Sequence, residues 1–193
     1  MSLFMTASQT VGPLLHIGLD GLNIDKLAHE GVSGEPIIIE GRVFDGTGQP
    51  VPDGLVEIWQ ANSYGKYAHP DDTRDLPFEA GFRGFGRMPT DEDGRFRFST
   101  IKPGRVPAPD GSLQAPHIVV SVFMRGLIKR LATRIYFPDD VSNAEDFILN
   151  TVPAERRSTL IGRAVVERPG VIEWNVAVQG DANGQGETVF FDL

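Results

Sequence analysis

Twenty-two glycines and fourteen prolines divide this chain of 193 residues into short runs rich in β-branched and aromatic side chains. Punctuation at that spacing suits an all-β sandwich or barrel and not helices joined by linkers. The runs fall at positions 37–44, 55–59, 95–99, 118–123, 134–137, 171–178 and 188–191. Together they are enough for two packed sheets, and a two-sheet β-sandwich with long loops and a short helix is expected. Asp45-Gly46-Thr47-Gly48-Gln49-Pro50 and Asp91-Glu92-Asp93-Gly94 combine glycine, which accepts positive φ, with side chains that cap their own backbone, and both predict hairpin turns. Helix is expected only over 153–164, where Pro153 suits a first helical position and Leu160, Ile161 and Ala164 share one face. The stretches 20–35 and 68–87 carry no regular pattern, and long loops of this kind usually serve a site or an interface.

No repeat or composition shift divides the chain, so one domain over residues 1–193 is expected. Met1-Ser2-Leu3-Phe4 stand ahead of a second Met5 and are set aside. Acidic residues outnumber basic ones by 26 to 18, a net charge of -8, which disfavours a nucleic-acid partner. Cysteine is absent, which excludes disulfides and thiolate metal sites. No apolar run approaches the roughly 18 residues of a membrane span, and no basic-then-apolar leader opens the chain, so the expected location is the cytoplasm.

One long segment is more specific. Gly41-Arg42-Val43-Phe44-Asp45, Gly48-Gln49-Pro50-Val51-Pro52-Asp53-Gly54, Leu55-Val56-Glu57-Ile58-Trp59-Gln60-Ala61-Asn62 and Gly65-Lys66-Tyr67 follow one another in order. After them come Ile101-Lys102-Pro103-Gly104, Ala115-Pro116-His117-Ile118 and Arg134-Ile135-Tyr136-Phe137. This succession resembles the intradiol ring-cleavage dioxygenases from about position 37 onward. The resemblance implies a ferric ion held by two tyrosinates and two histidines, a donor set that suits a hard trivalent cation. It also implies a catechol substrate whose ring O2 opens between the two hydroxyl-bearing carbons.

Each implied ligand position can be read off this chain. Tyr67 matches the first tyrosine and His117 the first histidine, whereas the second tyrosine position falls on Val106 and the second histidine position on Val119. Gln114 stands where the catalytic chains place an arginine. A valine has no electron pair to donate, so no catalytic residue and no metal site are expected in this chain alone. Taken without the resemblance, His117 reads as a hydrogen-bonded core histidine and Tyr67 as a packing residue. His16, His29 and His69 carry no role, and the acidic runs 71–72 and 91–93 read as solvated turns, not calcium loops.

The family includes an enzyme built from two related chains, one of which lacks the ligands. Both ends of this chain, from Ser8-Gln9-Thr10-Val11-Gly12-Pro13 to Gly186-Glu187-Thr188-Val189-Phe190-Phe191-Asp192, resemble that ligand-poor chain. The resemblance implies a partner chain that holds Fe(III), and an N-terminal extension, residues 1–36, that contributes to the subunit interface and the pocket. Thr10, Gly12 and Pro13 are then expected to bring main chain against the substrate, and Arg134 to add positive potential for a carboxylate-bearing catechol. Leu14 replaces an aromatic residue found in some relatives. The alternative is a transthyretin-like sandwich that only binds or scaffolds; a homomeric dioxygenase with an unusual ligand set is disfavoured by the two valines.

Overall fold

The computed structural model describes residues 5–12, 14–181 and 186–192. In chain order the principal strands are β1 (Pro36–Phe44), β2 (Leu55–Trp59), β3 (Phe85–Pro89), β4 (Arg95–Ile101), β5 (Val106–Pro107), β6 (Leu113–Gln114), β7 (His117–Phe123) and β8 (Leu131–Tyr136). Short strands β9 (Arg163–Ala164), β10 (Val171–Glu173) and β11 (Val176–Ala177) follow. One sheet is built on β1, which pairs antiparallel with β4 and parallel with β10 and β11, while β9 adds to β10. The second has the order β3-β2-β7-β8, and β5 and β6 form a separate ribbon.

Alternation along β1 is strict: Ile37, Ile39 and Val43 point inward, between residues that stay partly exposed. With Phe96 and Phe98 of β4 they meet Val56 and Ile58 of β2, Ile118 and Val120 of β7 and Ile135 of β8 in one core. Each fully buried side chain of this size contributes about 2 kcal/mol to the driving force. The same period of two places Trp59, His117, Val119, Arg134 and Tyr136 on the opposite, outer face of the second sheet.

Several expectations are corrected. Run 171–178 breaks at Trp174–Asn175, where the Asn175 side chain accepts the Arg42 amide at 2.9 Å in place of a ladder bond. Gly41 allows this close approach: a Cβ there would lie 1.7 Å from the Trp174 carbonyl oxygen. Positions 188–191 form no strand and meet β8 through the bridge of Phe191 to Ala132 and the Thr133 hydroxyl, which donates to the Val189 carbonyl at 2.7 Å. The expected helix over 153–164 is a 3-10 segment, Ala154–Leu160, followed by β9. There the Trp174 indole donates to the Thr159 carbonyl, which is thereby used outside a helical ladder. Two short α-helices occur elsewhere, α1 (Leu15–Gly18) and α2 (Phe147–Thr151).

β3 begins inside the stretch 68–87 read as irregular and runs two residues past it; its glycine is needed because Leu27 and Phe98 pack on Gly86. The 20–35 stretch is likewise ordered by pairing: Ile24 bridges to Arg87, Lys26 to Ser99 and Ala28 to Phe82, with Leu27 fully buried between the sheets. Among the described residues no helix is long and apolar enough to cross a membrane.

Candidate functional site

The site is assembled from the end of β2 outward. Gln60, fully buried, donates to the Ile101 carbonyl at 2.9 Å and accepts from Thr100 at 2.9 Å, tying β2 to β4. Two residues on, Asn62 accepts the amides of Tyr64 and Lys66, and its carbonyl takes the Gly104 amide at 2.8 Å. Gly65, at φ +78, packs so tightly on the Arg105 carbonyl that a Cβ would come within 2.1 Å of it. The loop carrying Tyr67 is therefore pressed against the segment carrying Val106. Tyr67 stacks on Trp59 at 5.8 Å with nearly parallel rings, and its amide donates to Asp72. Arg74 spans Asp72 and the Gly65 carbonyl, and holds the Asp72 carboxyl well below the ordinary carboxylate range. Trp59, Tyr67, His69, Arg74, Val106 and Pro107 line a cleft of about 560 Å³.

Sheet register places the remaining matched positions beside Trp59, outside the lining of that cleft. Trp59 pairs with Val119, Val119 with Arg134, and His117 with Tyr136. The structure thus brings Tyr67, Val106, His117, Val119 and Arg134 into one neighbourhood. The ring of His117 is buried, and Nδ1 contacts the Ala115 carbonyl at 2.8 Å. Donation to that carbonyl requires the Nδ1–H tautomer and leaves the lone pair on Nε2. Burial, aided by the Arg134 charge, pulls the His117 pKa down to about 4, so the imidazole is neutral at pH 7. Burial also raises the Tyr67 phenol, against the pull of Arg134 and Arg74.

Arg134 is half-buried and donates from Nη1 to Gln114 Oε1 at 2.8 Å and, at 3.5 Å, to the Tyr136 hydroxyl. That hydroxyl donates to Asp146, which is fully buried and also accepts the Ala115 and Leu149 amides at 2.7 Å. Asp146 escaped the sequence reading. Its signal is an aspartate ahead of the apolar run Phe147-Ile148-Leu149, an N-cap pattern for α2.

The N-terminal residues lie elsewhere. Thr10 is exposed, and its Oγ accepts the Gly126 amide at 2.8 Å in the turn between β7 and β8; Gly12 is exposed nearby in sequence. Pro13 falls outside the described residues. Arg134 sits three registered pairs below the first pair after that turn, about 10 Å along the strand. Thr10 and Arg134 are therefore not brought together within this chain. The arginine beside Thr10 is Arg125, next to Gly126, with its side chain 63% exposed and an ion pair to Asp53 at 3.0 Å. Sequence reading missed it, although Arg125-Gly126 is an evident turn dipeptide.

Against a ferric ion, the four matched positions offer one phenol and one imidazole. Val106 and Val119 contribute no donor atoms, and among the described residues no group of three or more His, Asp or Glu side chains converges on a metal position. The residues present do not fit the four-ligand ferric set.

A family model described as "Dioxygenase" matches residues 22–180. The chain is 39% identical to the protocatechuate 3,4-dioxygenase alpha chain of Burkholderia cepacia, over 100% of this chain and 99% of the relative. To the alpha chain of Pseudomonas putida it is 39% identical, over 97% and 96%. The protocatechuate 3,4-dioxygenase beta chain of Burkholderia cepacia is 40% identical, over 81% of this chain and 66% of the relative. Among solved structures, the dioxygenase domain of a carbohydrate-binding fusion protein from Streptomyces sp. SirexAA-E superposes with a TM-score of 0.61 at 26% identity, covering 79% of this chain and 85% of that one. Catechol 1,2-dioxygenase from Acinetobacter sp. ADP1 gives 0.60 at 24%, covering 79% of this chain and 55% of that one, and supports the fold. The β-sandwich, the ordered motifs and these similarities together show that the chain belongs to the intradiol dioxygenase family.

Proposed function

We propose that this chain is the alpha subunit of a protocatechuate 3,4-dioxygenase. In this reading it binds no iron of its own and completes the pocket of a beta chain that holds Fe(III). The complex takes protocatechuate and O2, opens the ring between the two hydroxyl-bearing carbons and releases 3-carboxy-cis,cis-muconate, a cytoplasmic step of aromatic catabolism in the beta-ketoadipate pathway. The carrying observation is the end-to-end match to alpha chains, combined with valine at two of the four ligand positions. Loss of donors removes catalysis from the chain itself, yet a full-length match retains the termini that a free-standing module would not need.

The residues at the partner's pocket are proposed to be Thr10, Gly12 and Pro13. Glycine permits close main-chain approach and proline a rigid turn. The exposed arm that ends on the β7–β8 turn supports this reading, because such an arm is available to another chain. Arg134 was expected to supply the cation for the substrate carboxylate. The position of Arg125 beside Thr10 favours Arg125 for that task. Either guanidinium would select anionic catechols over neutral ones by charge.

Co-expression with a beta chain tests the proposal. The chain purified alone is expected to be colourless and inactive, and the complex to be iron-coloured and to cleave protocatechuate. Stoichiometric iron with ring cleavage by the isolated chain would refute it.

A further inference from the structure

We propose that the Arg134 guanidinium takes the place of the ferric cation at the degenerate centre, so that the centre is closed to metal by charge as well as by missing donors. The inference rests on reading positions 67, 106, 117 and 119 as former ligand positions. It adds a residue that none of those positions contains.

Three observations place the charge there. Arg134 is the registered partner of Val119, so its side chain leaves the sheet on the same face as the lost histidine position. Its Nη1 is anchored on Gln114, in the neighbourhood where the resemblance implies an arginine in catalytic chains. Arg134 thus brings positive charge to the neighbourhood of position 114 from β8. Its second contact, the Tyr136 hydroxyl, adjoins the buried His117 ring, whose centroid lies 5.9 Å from that of Tyr136. Among the described residues Arg134 forms no direct ion pair; the Asp146 carboxylate is reached only through the Tyr136 hydroxyl.

A centre that has lost two donors keeps a phenol, an imidazole and a partly desolvated polar space. A guanidinium with no direct carboxylate partner supplies fixed positive charge to those groups without coordination chemistry. The same charge repels an incoming metal ion, and the repulsion is larger in a half-buried site than in water. Restoring the missing donors is therefore insufficient to restore metal binding.

Ferric iron supplied as a chelate to the full-length chain provides the test. The V106Y/V119H variant is expected to take up little iron. Adding R134Q is expected to raise uptake at least about tenfold and to produce a visible tyrosinate-to-iron absorption band. Equal uptake by the two variants, whether both load or neither does, overturns the inference. Because Val106 is buried and its replacement can disturb folding, V119H and V119H/R134Q are compared in parallel with cobalt(II), whose visible spectrum reports coordination. Binding about tenfold tighter in the latter is expected, and equal affinity is the opposing result. Iron in the unaltered chain would instead refute the alpha-subunit reading, so the two failures are distinguishable.

Discussion

Arg134 Nη1 donates to Gln114 Oε1 at 2.8 Å while Gln114 Nε2 donates to the Pro107 carbonyl at 3.1 Å, so one carboxamide links β8 to the β5–β6 ribbon. Arg105 reinforces the ribbon by donating to the Leu113 and Gln114 carbonyls. Val106 is therefore held against the same neighbourhood as Arg134 by polar contacts, although it donates nothing itself.

Replacing Gln114 with leucine removes both contacts and leaves a half-buried guanidinium without its acceptor. The expected cost is about 2 kcal/mol in urea unfolding. Gln114→Glu restores an acceptor for Arg134 and should cost less than Gln114→Leu. Equal losses in the two variants would show that the contact to Arg134 is not what position 114 contributes.

Asp146 joins three elements, because its carboxylate accepts from Ala115 ahead of β7, Tyr136 at the end of β8 and Leu149 in α2. Asp146→Ala strands these buried donors and removes the cap of α2. A loss of about 3 kcal/mol or more is expected by chemical denaturation. A loss under about 1 kcal/mol would mean that water replaces the carboxylate without penalty.

His117 makes stability depend on pH. Its folded pKa of about 4 lies below the ordinary 6.5, so the unfolded chain binds more protons in the interval between them. The contribution is fully present above pH 6.5 and is lost as pH falls through 6.5 toward 4. The shift corresponds to about 3 kcal/mol across that window. His117→Asn should flatten this part of the stability profile measured by urea denaturation. In the Arg134→Gln chain the ring should titrate higher by NMR, since a neighbouring cation no longer opposes the imidazolium, while burial keeps it below 6.5.

The sheets were legible where burial imposes a period of two. β1, β2 and β7 begin and end within a residue of the expected runs because their inward residues, Gly41 apart, are Ile and Val. β3 was not, since Phe85-Gly86-Arg87-Met88-Pro89 is made a strand by its pairing to β2 and by the Leu27 and Phe98 side chains on Gly86. Positions 67, 106, 117 and 119 were singled out through motif order. Their convergence depends on Gly65 meeting the Arg105 carbonyl, and the role of Arg134 depends on sheet register. Neither relationship is local in the sequence.

Gly41 provides a direct check on the break between β10 and β11. A methyl group at this position would overlap the Trp174 carbonyl, which accepts no smaller separation without moving the strand. Gly41→Ala is expected to cost at least about 3 kcal/mol, or to prevent accumulation of folded chain. Wild-type stability in this variant would require β10 and β11 to pair with β1 in another register.

In the assembled complex, the two arginines are separable by kinetics. Arg125 neighbours Thr10 at an exposed turn, whereas Arg134 is anchored on Gln114 about 10 Å further along β8. If the arm and its neighbour enter the partner's pocket, Arg125→Ala should raise KM for protocatechuate about tenfold while iron content stays unchanged, the loss expected when one partly screened cation no longer attracts the substrate carboxylate. Arg134→Ala should alter KM less than about twofold, because its charge is spent at this chain's own degenerate centre. The reverse pattern would assign the substrate carboxylate to Arg134 and would require the partner to approach the outer face of β8 instead of the turn.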